Sequence, residues 1–351
     1  MPRPPVFTRV AELIERRIEA GDYLLNDIPG ERRIAEDAGV SHMTARKAVS
    51  MLLERGVLIR RPNGSLDVSP DRAAGTASSA VALLYPSAAS PHLLRLRYVV
   101  AAAAEASGLT LRPVQFVHWD DPIVRDALEF DGGAIVIPST EPIGTQTLSR
   151  LKAGQTALLD ADLSDESIAS IRLFPDDHIR LVFDRLVRAG HWHIGCISTE
   201  DHTPEILRRL SLWHDFADEH GLDVELFDEP VHDFADPMPI ACEIVRRRVA
   251  GGQTLPSAFI GMTFPAAVGA SRALWESGVV VGKDVSVAAV NIEPPARYMT
   301  PAVTGLDMPD LRPALQRCFD WFASGDAWEG PFLLEPETPN LLEGESVVSL
   351  D

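Results

Sequence analysis

The first 70 residues contain three successive segments in which apolar residues recur at helical spacing. From Phe7 to Ile18 they recur every three or four positions, which predicts an amphipathic helix that ends near Gly21. A shorter helix is predicted after Gly30, and a third after Ser41, whose hydroxyl can accept a free N–H of the first turn. This part of the chain is therefore predicted to be a small helical unit.

The third predicted helix separates apolar from polar side chains. Its apolar residues predict a buried face, formed by Ala45, Ala48, Val49 and Leu52. The opposite face is left for side chains that are mostly cationic or hydrogen-bonding, namely His42, Met43, Arg46, Lys47 and Ser50. Two helices joined by a tight turn, the second of which presents such side chains, are typical of the helix-turn-helix that lays one helix in a DNA groove.

A hairpin is predicted directly after the third helix. Residues 57–61 and 65–68 are predicted to be strands, because Asn63-Gly64 between them tolerates the positive φ of a tight turn. A hairpin in this position is a wing, and it places Arg60 and Arg61 where they could reach phosphates or the minor groove. The alternative is a three-helix protein-interaction module whose basic residues are simply solvated.

The pattern changes after a stretch of small and polar residues, which predicts a linker at residues 71–79. From residue 80 onwards, short apolar runs alternate with amphipathic stretches, as in α/β proteins whose parallel strands are covered by helices on both faces. Strands are predicted at residues 80–84, 111–116, 133–137, 156–159, 193–197, 224–227, 258–260 and 285–290. Helices are predicted at residues 93–106, 179–189, 205–219, 240–250 and 265–276. Such sheets bind ligands at the carboxyl ends of their strands.

The net charge of −19 over 351 residues is distributed unevenly. Residues 1–70 contain 11 Arg and Lys against 10 Asp and Glu, whereas the rest of the chain contains 21 against 41. A nearly neutral unit can still present a basic face to phosphates, while a strongly acidic body is repelled from them. Any contact with nucleic acid is therefore predicted for the first 70 residues.

Neither a catalytic nor a metal-binding motif is recognised. The clusters around His191 and His178 lack partners at ligand spacing, and Cys196, Cys242 and Cys318 are too far apart in the chain for a metal or redox pair. We therefore expect three reduced thiols, no catalytic residue, no metal and no cofactor. Since no apolar run could span a bilayer and no secretory signal is recognised, the protein is expected to act in the cytoplasm.

Five segments of the first unit match a known pattern in detail. They are Gly21-Asp22-Tyr23, residues 28–35, residues 39–49, residues 53–58 and Gly64-Ser65. Through these segments, residues 6–68 resemble the winged helix-turn-helix of GntR-family transcription regulators. The resemblance implies that Gly64 lets the backbone approach the minor groove. It also implies operator contacts from the side chains of Arg32, Ser41, His42, Thr44 and Arg46.

Two positions depart from that family. Gly30 stands where a small hydroxyl residue or Ala is usual, and His42 stands where Arg is common. Histidine supplies a weaker and pH-dependent contact, so the operator sequence does not follow from the resemblance. The predicted DNA-binding set is completed by Lys47, Arg60 and Arg61.

The remainder of the chain also carries family landmarks in order. They are residues 81–86, 131–138, 186–195, 256–260, 267–269, 278–287 and 301–304. They resemble the LacI/GalR-type effector domain, which shares its fold with periplasmic sugar-binding proteins. The resemblance implies a domain at residues 80–351 with one lobe at about 80–190 and 306–325 and another at about 192–304 and 330–351. The chain would cross between the lobes near Gly190, Gly305 and Ala327.

The effector contacts of that family are matched only in part. Arg209 stands in the place of an effector-contacting arginine, whereas Phe264 and Asn291 replace two carboxylates. The resemblance therefore implies a more apolar cleft, in which an aromatic ring could stack on a sugar face. A helix-surface salt bridge is the alternative role for Arg209, and lobe packing is the alternative for Phe264. The predicted effector contacts are Arg209, Trp213, Phe264, Asn291, Ser90 and His92.

Together, the two resemblances imply a homodimeric transcriptional repressor whose operator affinity is changed by a small effector, a carbohydrate or a derivative. Two heads on a shared body would read a two-fold symmetric site in double-stranded DNA. Two alternatives stay open at this point. One is a DNA-binding regulator whose effector domain has degenerated and senses nothing, and the other is an enzyme fused to such a head.

Overall fold

The computed structural model describes residues 5–19, 23, 28–61, 64–69, 80–88, 90–129, 132–231 and 235–350. Three sequence predictions, the helix end near Gly21, the turn residue Asn63 and the linker at residues 71–79, lie outside this range. Within the described residues, no helix is both long and apolar enough to cross a membrane.

The head is a three-helix unit followed by a two-stranded antiparallel sheet. Its elements are α1 (Val6–Glu19), α2 (Glu31–Asp37), α3 (His42–Glu54), β1 (Leu58–Arg60) and β2 (Leu66–Val68). The apolar faces of the helices meet in one core, which includes Val10, Ile14, Ile34, Ala45, Val49 and Leu52. The predicted helical pattern and the hairpin are therefore confirmed. The polar face of α3 is left to solvent.

A first sheet of six parallel strands follows the head. Its strands are β3 (Ala80–Pro86), β4 (Thr110–Phe116), β5 (Ala134–Val136), β6 (Thr156–Leu159), β7 (Ala169–Ile171) and β13 (Leu333–Leu334). They lie in the order β4-β3-β5-β6-β7-β13. The helices of this lobe are α4 (Pro91–Ala106), α5 (Pro122–Leu128), α6 (Thr145–Ala153) and α11 (Arg312–Ser324), and α11 packs against α4.

A second six-stranded sheet forms the other lobe. Its strands are β8 (His193–Ser198), β9 (Asp223–Asp228), β10 (Ala258–Gly261), β11 (Ser286–Asn291), β12 (Thr304–Leu306) and β14 (Leu341–Leu342). They lie in the order β9-β8-β10-β11-β12-β14, and β14 is antiparallel to its neighbour. The helices of this lobe are α7 (Asp176–Arg188), α8 (Pro204–His220), α9 (Pro237–Ala250) and α10 (Phe264–Glu276).

The observed lobe division differs from the predicted one in two places. Helix α7 packs against β11 and β12 of the second sheet, so the first crossing lies at residues 172–175 rather than near Gly190. Strand β13 completes the first sheet, so the third crossing lies at residues 335–340 rather than near Ala327. The second crossing, at residues 307–311, follows Gly305 closely. An amphipathic helix pattern predicts that a helix covers a sheet, but it does not indicate which sheet.

A close helix contact supports one side of the second lobe. A Cβ atom on Gly269 of α10 would stand 2.4 Å from the carbonyl oxygen of Met238 on α9. The absence of a side chain therefore lets the two helices approach each other. Because α10 begins at the carboxyl end of β10, this contact also helps to fix the residues that lie at the edge between the lobes.

Candidate nucleic-acid interface and ligand cleft

The start of helix α3 is fixed by two of the predicted DNA contacts. The Ser41 hydroxyl accepts a hydrogen bond from the backbone N–H of Thr44 at 3.2 Å, as predicted for a helix cap. The hydroxyls of Ser41 and Thr44 are also hydrogen-bonded to each other at 2.8 Å. Both hydroxyls therefore hold the first turn in place, and the side chains after them project from a rigid start.

Helix α3 presents free cationic side chains to solvent. Arg46 and Lys47 are exposed, and neither forms an ion pair or side-chain hydrogen bond within the described residues. Arg32 on α2 has a side chain that is 90% exposed and lies 3.5 Å from Glu36. His42 is exposed too, with its Nε2 atom 3.8 Å from a carboxylate oxygen of Glu31. The cationic groups of Arg32, Arg46 and Lys47 can meet phosphates without first losing a buried partner.

The wing holds its own arginines. Arg60 donates to the carbonyl oxygen of Gly64 at 2.9 Å and to Glu31 at 3.1 Å, and Arg61 donates to Asp67 at 2.8 Å. Gly64 has a φ of +85°, which is typical of glycine at a turn. Nearby carboxylates bind both guanidinium groups in this structure, so the predicted DNA contacts of Arg60 and Arg61 would require these surface pairs to open.

The first lobe contributes a histidine–carboxylate pair to the edge between the lobes. The Nε2 atom of His92, at the start of α4, lies 2.8 Å from a carboxylate oxygen of Asp160, which follows β6. Burial opposes ionisation of Asp160, but His92 and the more distant Arg208 and Arg209 outweigh it and lower the pKa of the carboxyl. Ser90 instead caps α4, since its hydroxyl accepts the N–H of Leu93 at 3.3 Å.

The second lobe holds Arg209 in a fully bonded position. The residue is 4% exposed. Its guanidinium group donates to Glu205 at 3.1 Å, to Asn291 at 2.7 Å and to the carbonyl oxygen of Met262 at 2.9 Å. The guanidinium carbon lies 5.5 Å from the centre of the Phe174 ring. A helix-surface salt bridge is therefore excluded as its main role. The structure instead joins two predicted effector contacts, Arg209 and Asn291.

The other arginines at this edge are also paired. Arg208 binds Glu205 at 2.7 Å and pairs with Asp176, while burial and the nearby Arg172 and Arg209 lower the pKa of Arg208 to about 10. Arg95 of α4 lies 2.6 Å from Asp307 in the second crossing. This last pair ties a helix of the first lobe to a segment that connects the lobes.

The two aromatic residues predicted to contact a ligand pack inside the protein. Trp213 is fully buried, with its ring centre 5.0 Å from that of Phe183 and 6.4 Å from that of Phe216. Phe264, the first residue of α10, lies in the apolar core of the second lobe. The prediction of ring stacking on a ligand is therefore corrected for Trp213. For Phe264, the alternative role in lobe packing describes its observed position.

Sequence reasoning missed two acidic residues at the same edge. Glu200 and Glu293 each stand two residues beyond a strand, β8 and β11 respectively. Burial raises the pKa of both carboxyls above the ordinary value. The cleft is therefore more acidic than the predicted apolar one. Their position at the carboxyl ends of parallel strands was the available sequence signal.

Comparison with known proteins agrees with this two-part organisation. Residues 7–68 match the model of the gntR family of bacterial regulatory proteins, and residues 183–311 match the periplasmic binding protein-like domain. The chain joins a GntR-family domain to a periplasmic binding protein-like domain. This combination is that of a transcriptional regulator with an effector domain.

Solved structures share the fold of this GntR-headed regulator. A lac repressor dimer bound to operator and an anti-inducer is 20% identical, with a TM-score of 0.64 over 78% of this chain and 96% of that chain. A LacI-family regulator from Bifidobacterium animalis subsp. lactis is 17% identical, with a TM-score of 0.65 over 78% and 99%. Another, from Mycobacterium smegmatis, is 17% identical, with a TM-score of 0.61 over 77% and 99%. These similarities confirm the predicted fold of the body.

Proposed function

We propose that this regulator is a homodimeric repressor that binds operator DNA through α3 and binds a small, polar, carbohydrate-like effector between its lobes. It acts in the cytoplasm and catalyses no reaction. The observation that carries the proposal is the pair of exposed cations Arg46 and Lys47 on the outward face of α3, neither of which has a partner among the described residues. In a chain with a net charge of −19, such a face is where DNA phosphates are attracted.

Exposed apolar side chains of the second lobe support a homodimer. Trp275 and Tyr298 are 68% and 86% exposed, and Trp275 lines a cavity of about 250 Å³ together with Val280 and Met299. Clustered apolar residues of this kind mark protein–protein contacts. Two copies joined here would carry two heads, which suits a two-fold symmetric operator. A lac repressor of the same fold is a dimer on its operator.

The cleft supports effector control. Side chains from the first lobe (His92 and Asp160), the second lobe (Arg209 and Asn291) and a crossing (Asp307) converge at the carboxyl ends of the strands. A ligand that bridges the lobes changes the balance between open and closed arrangements only by binding them with different affinity. We propose that lobe closure alters the spacing of the paired heads.

The test uses double-stranded DNA from the region upstream of the protein's own gene. Its binding is measured by fluorescence anisotropy at a series of salt concentrations. We expect tight binding at low salt that weakens steeply as salt rises, because bound cations are released from the phosphates. Sedimentation of the same samples should give a dimer. Failure to bind this DNA at every salt concentration, with the protein folded, contradicts the proposal.

A further inference from the structure

The basic side chains at the edge between the lobes already have carboxylate partners. His92 is paired with Asp160, Arg95 with Asp307, and both arginines of α8, Arg208 and Arg209, with Glu205. An anionic ligand would have to compete with these carboxylates, several of which are mostly buried. The charge that remains available for a ligand is therefore negative rather than positive.

Glu293 carries a negative charge of this kind. The residue is 6% exposed, and its carboxylate makes no hydrogen bond or ion pair within the described part of the chain. Burial raises the pKa of its carboxyl, His92 and Arg95 from the first lobe act in the opposite direction, and Glu200 adds to the rise. Glu293 stands two residues beyond β11, so its carboxyl belongs to the wall that the second lobe presents to the cleft.

Glu200 lies on the same wall. Its carboxylate accepts a hydrogen bond from the Thr263 hydroxyl at 3.1 Å and forms no ion pair within the described residues. Glu200, Thr263 and Glu293 follow β8, β10 and β11, which are neighbours in the second sheet. Because Glu200 reaches the residue that follows β10, and Glu293 follows the strand on the other side of β10, the two carboxylates flank the end of the same strand. A largely buried carboxylate without a partner is costly, and a second carboxylate on the same wall adds to that cost through like-charge repulsion.

We propose that the effector carries a protonated amino group that binds between Glu200 and Glu293, on a small hydroxylated skeleton such as an amino sugar or an amino polyol. This inference rests on the proposed effector role of the cleft. An ammonium group brings the missing positive charge and three donors, which form charge-assisted hydrogen bonds with the two carboxylates. Hydroxyl groups of the same ligand can meet the polar side chains of His92 and Asp160 on the opposite wall.

A metal ion does not fit this wall. No group of three or more His, Cys, Asp and Glu side chains is placed to hold a metal within the described residues. Two carboxylates and a threonine hydroxyl supply three of the six or more oxygen ligands of a hard divalent cation, so waters or ligand oxygens would have to complete its shell. A compact ammonium group needs fewer partners, since its three donors are satisfied by two carboxylates and one further acceptor.

Matched ligands that differ only in charge test the inference. The full-length protein is mixed with glucosamine, galactosamine and mannosamine, each compared with its parent hexose, its N-acetyl form and its uronic acid. Tris is compared with pentaerythritol, in which a hydroxymethyl group replaces the ammonium. Thermal shift identifies binders and calorimetry gives their affinity. At least one amine should stabilise the protein while its uncharged counterpart does not, because ligand binding to the folded state raises its stability.

Variants assign the effect to the two carboxylates. Glu293→Gln and Glu200→Gln should each weaken binding of the amine by about tenfold or more, since each loses a charge-assisted hydrogen bond. The double variant should no longer distinguish Tris from pentaerythritol. Glu293→Ala serves as a second probe of the same position if the amide variant does not fold. Glu243→Gln, on the exposed surface of α9, should bind like the unchanged protein.

Two results contradict the inference. One is that no amine in the panel stabilises the protein more than its uncharged or anionic counterpart. The other is that an amine binds equally well to the protein with both carboxylates replaced. DNA binding, measured separately by anisotropy, keeps this result apart from the proposed function. If the protein binds its upstream DNA but no amine, the proposed regulatory function stands and only the proposed amino ligand is contradicted.

Discussion

Basic side chains are used in opposite ways in the head and in the cleft. In the head, Arg46 and Lys47 stand exposed on α3 without a partner in the described structure. In the cleft, Arg209 is buried and donates to Glu205, Asn291 and a backbone carbonyl. The same residue type therefore offers its charge to an outside partner in one region and holds the protein together in the other.

The difference follows from what each region binds. DNA is a long polyanion, and exposed cations meet its phosphates at little cost because they stay hydrated until contact. A buried cation is expensive unless carboxylates neutralise it, so the cleft arginines are held by Glu205 and Asp307. Ligand recognition in the cleft then depends on the groups left over, among them Glu293. Variants in both regions test this contrast.

Arg209→Met should destabilise the body most. The substitution keeps much of the side-chain volume but leaves Asn291 and the carbonyl oxygen of Met262 without their buried donor, and Glu205 with Arg208 as its remaining partner. Removing one partner of a buried ion pair costs about 3–5 kcal/mol. Chemical denaturation monitored by tryptophan fluorescence measures the loss, because the six tryptophans all lie beyond residue 118 and report on the body.

Arg247→Met is the matched control for that measurement. Arg247 pairs with Glu229 at 2.6 Å on the exposed surface, so its loss should cost under about 1 kcal/mol. Equal losses for the two variants would mean that Arg209 is no more structural than a surface arginine. The guanidinium group of Arg209 would then be available to a ligand, just as the exposed cations of the head are available to DNA.

Replacing Arg46 and Lys47 together by Ala should weaken DNA binding about 100-fold, or about tenfold for each contact at moderate salt. The dependence of binding on salt should also become less steep by about 2 in the logarithmic slope, because two phosphate contacts are lost. Arg16→Ala, on the exposed surface of α1, removes a charge from the same unit and should have a much smaller effect. An unchanged slope in the double variant would place the DNA contacts elsewhere in the head.

Glu293→Gln should stabilise the body at neutral pH by about 2 °C in Tm. Burial raises the pKa of the Glu293 carboxyl above its ordinary value of 4.5, so the folded protein holds this proton more tightly than the unfolded chain does. The unchanged protein therefore loses stability as the pH rises from about 4.5 through the raised pKa. The amide carries no such cost. The difference in Tm between the two proteins should be small in acid and grow towards neutral pH.

A constant difference across that pH range would contradict the assignment. It would indicate that the amide changes packing rather than charge. Thermal unfolding in a series of buffers distinguishes the two results, with Glu243→Gln as a surface control that should show no growing difference.

The regular pattern of apolar residues made much of the fold predictable. All eight strands predicted beyond residue 80 are present, since runs such as residues 156–159 are fully buried and continuous. Strands β7, β12, β13 and β14, which have two or three residues each, were missed. Each of these short strands is defined by the sheet that it joins, and the local sequence does not indicate which sheet that is.

The candidate site was less predictable for a related reason. The exposed face of α3 follows from helical periodicity within 13 residues, so Arg46 and Lys47 could be identified directly. The residues of the cleft come from helices and strands that are far apart in the chain. Arg209 and Asn291 meet across 82 positions, and Glu293 has the same local character as any loop acid. Only the assembled sheet indicates that this residue is largely buried and that its carboxylate has no partner among the described residues.

The smallest effect is expected for Arg61→Ala in the wing. Arg61 is bound to Asp67 at the surface, an arrangement worth under about 1 kcal/mol, so Tm should change little. Because its charge is already engaged, DNA affinity should fall by less than about threefold and the salt slope should stay nearly unchanged. A loss as large as that of the α3 double variant would mean that the pair with Asp67 opens on DNA. The wing would then belong with α3, and the contrast between free and engaged arginines would hold only for the protein without DNA.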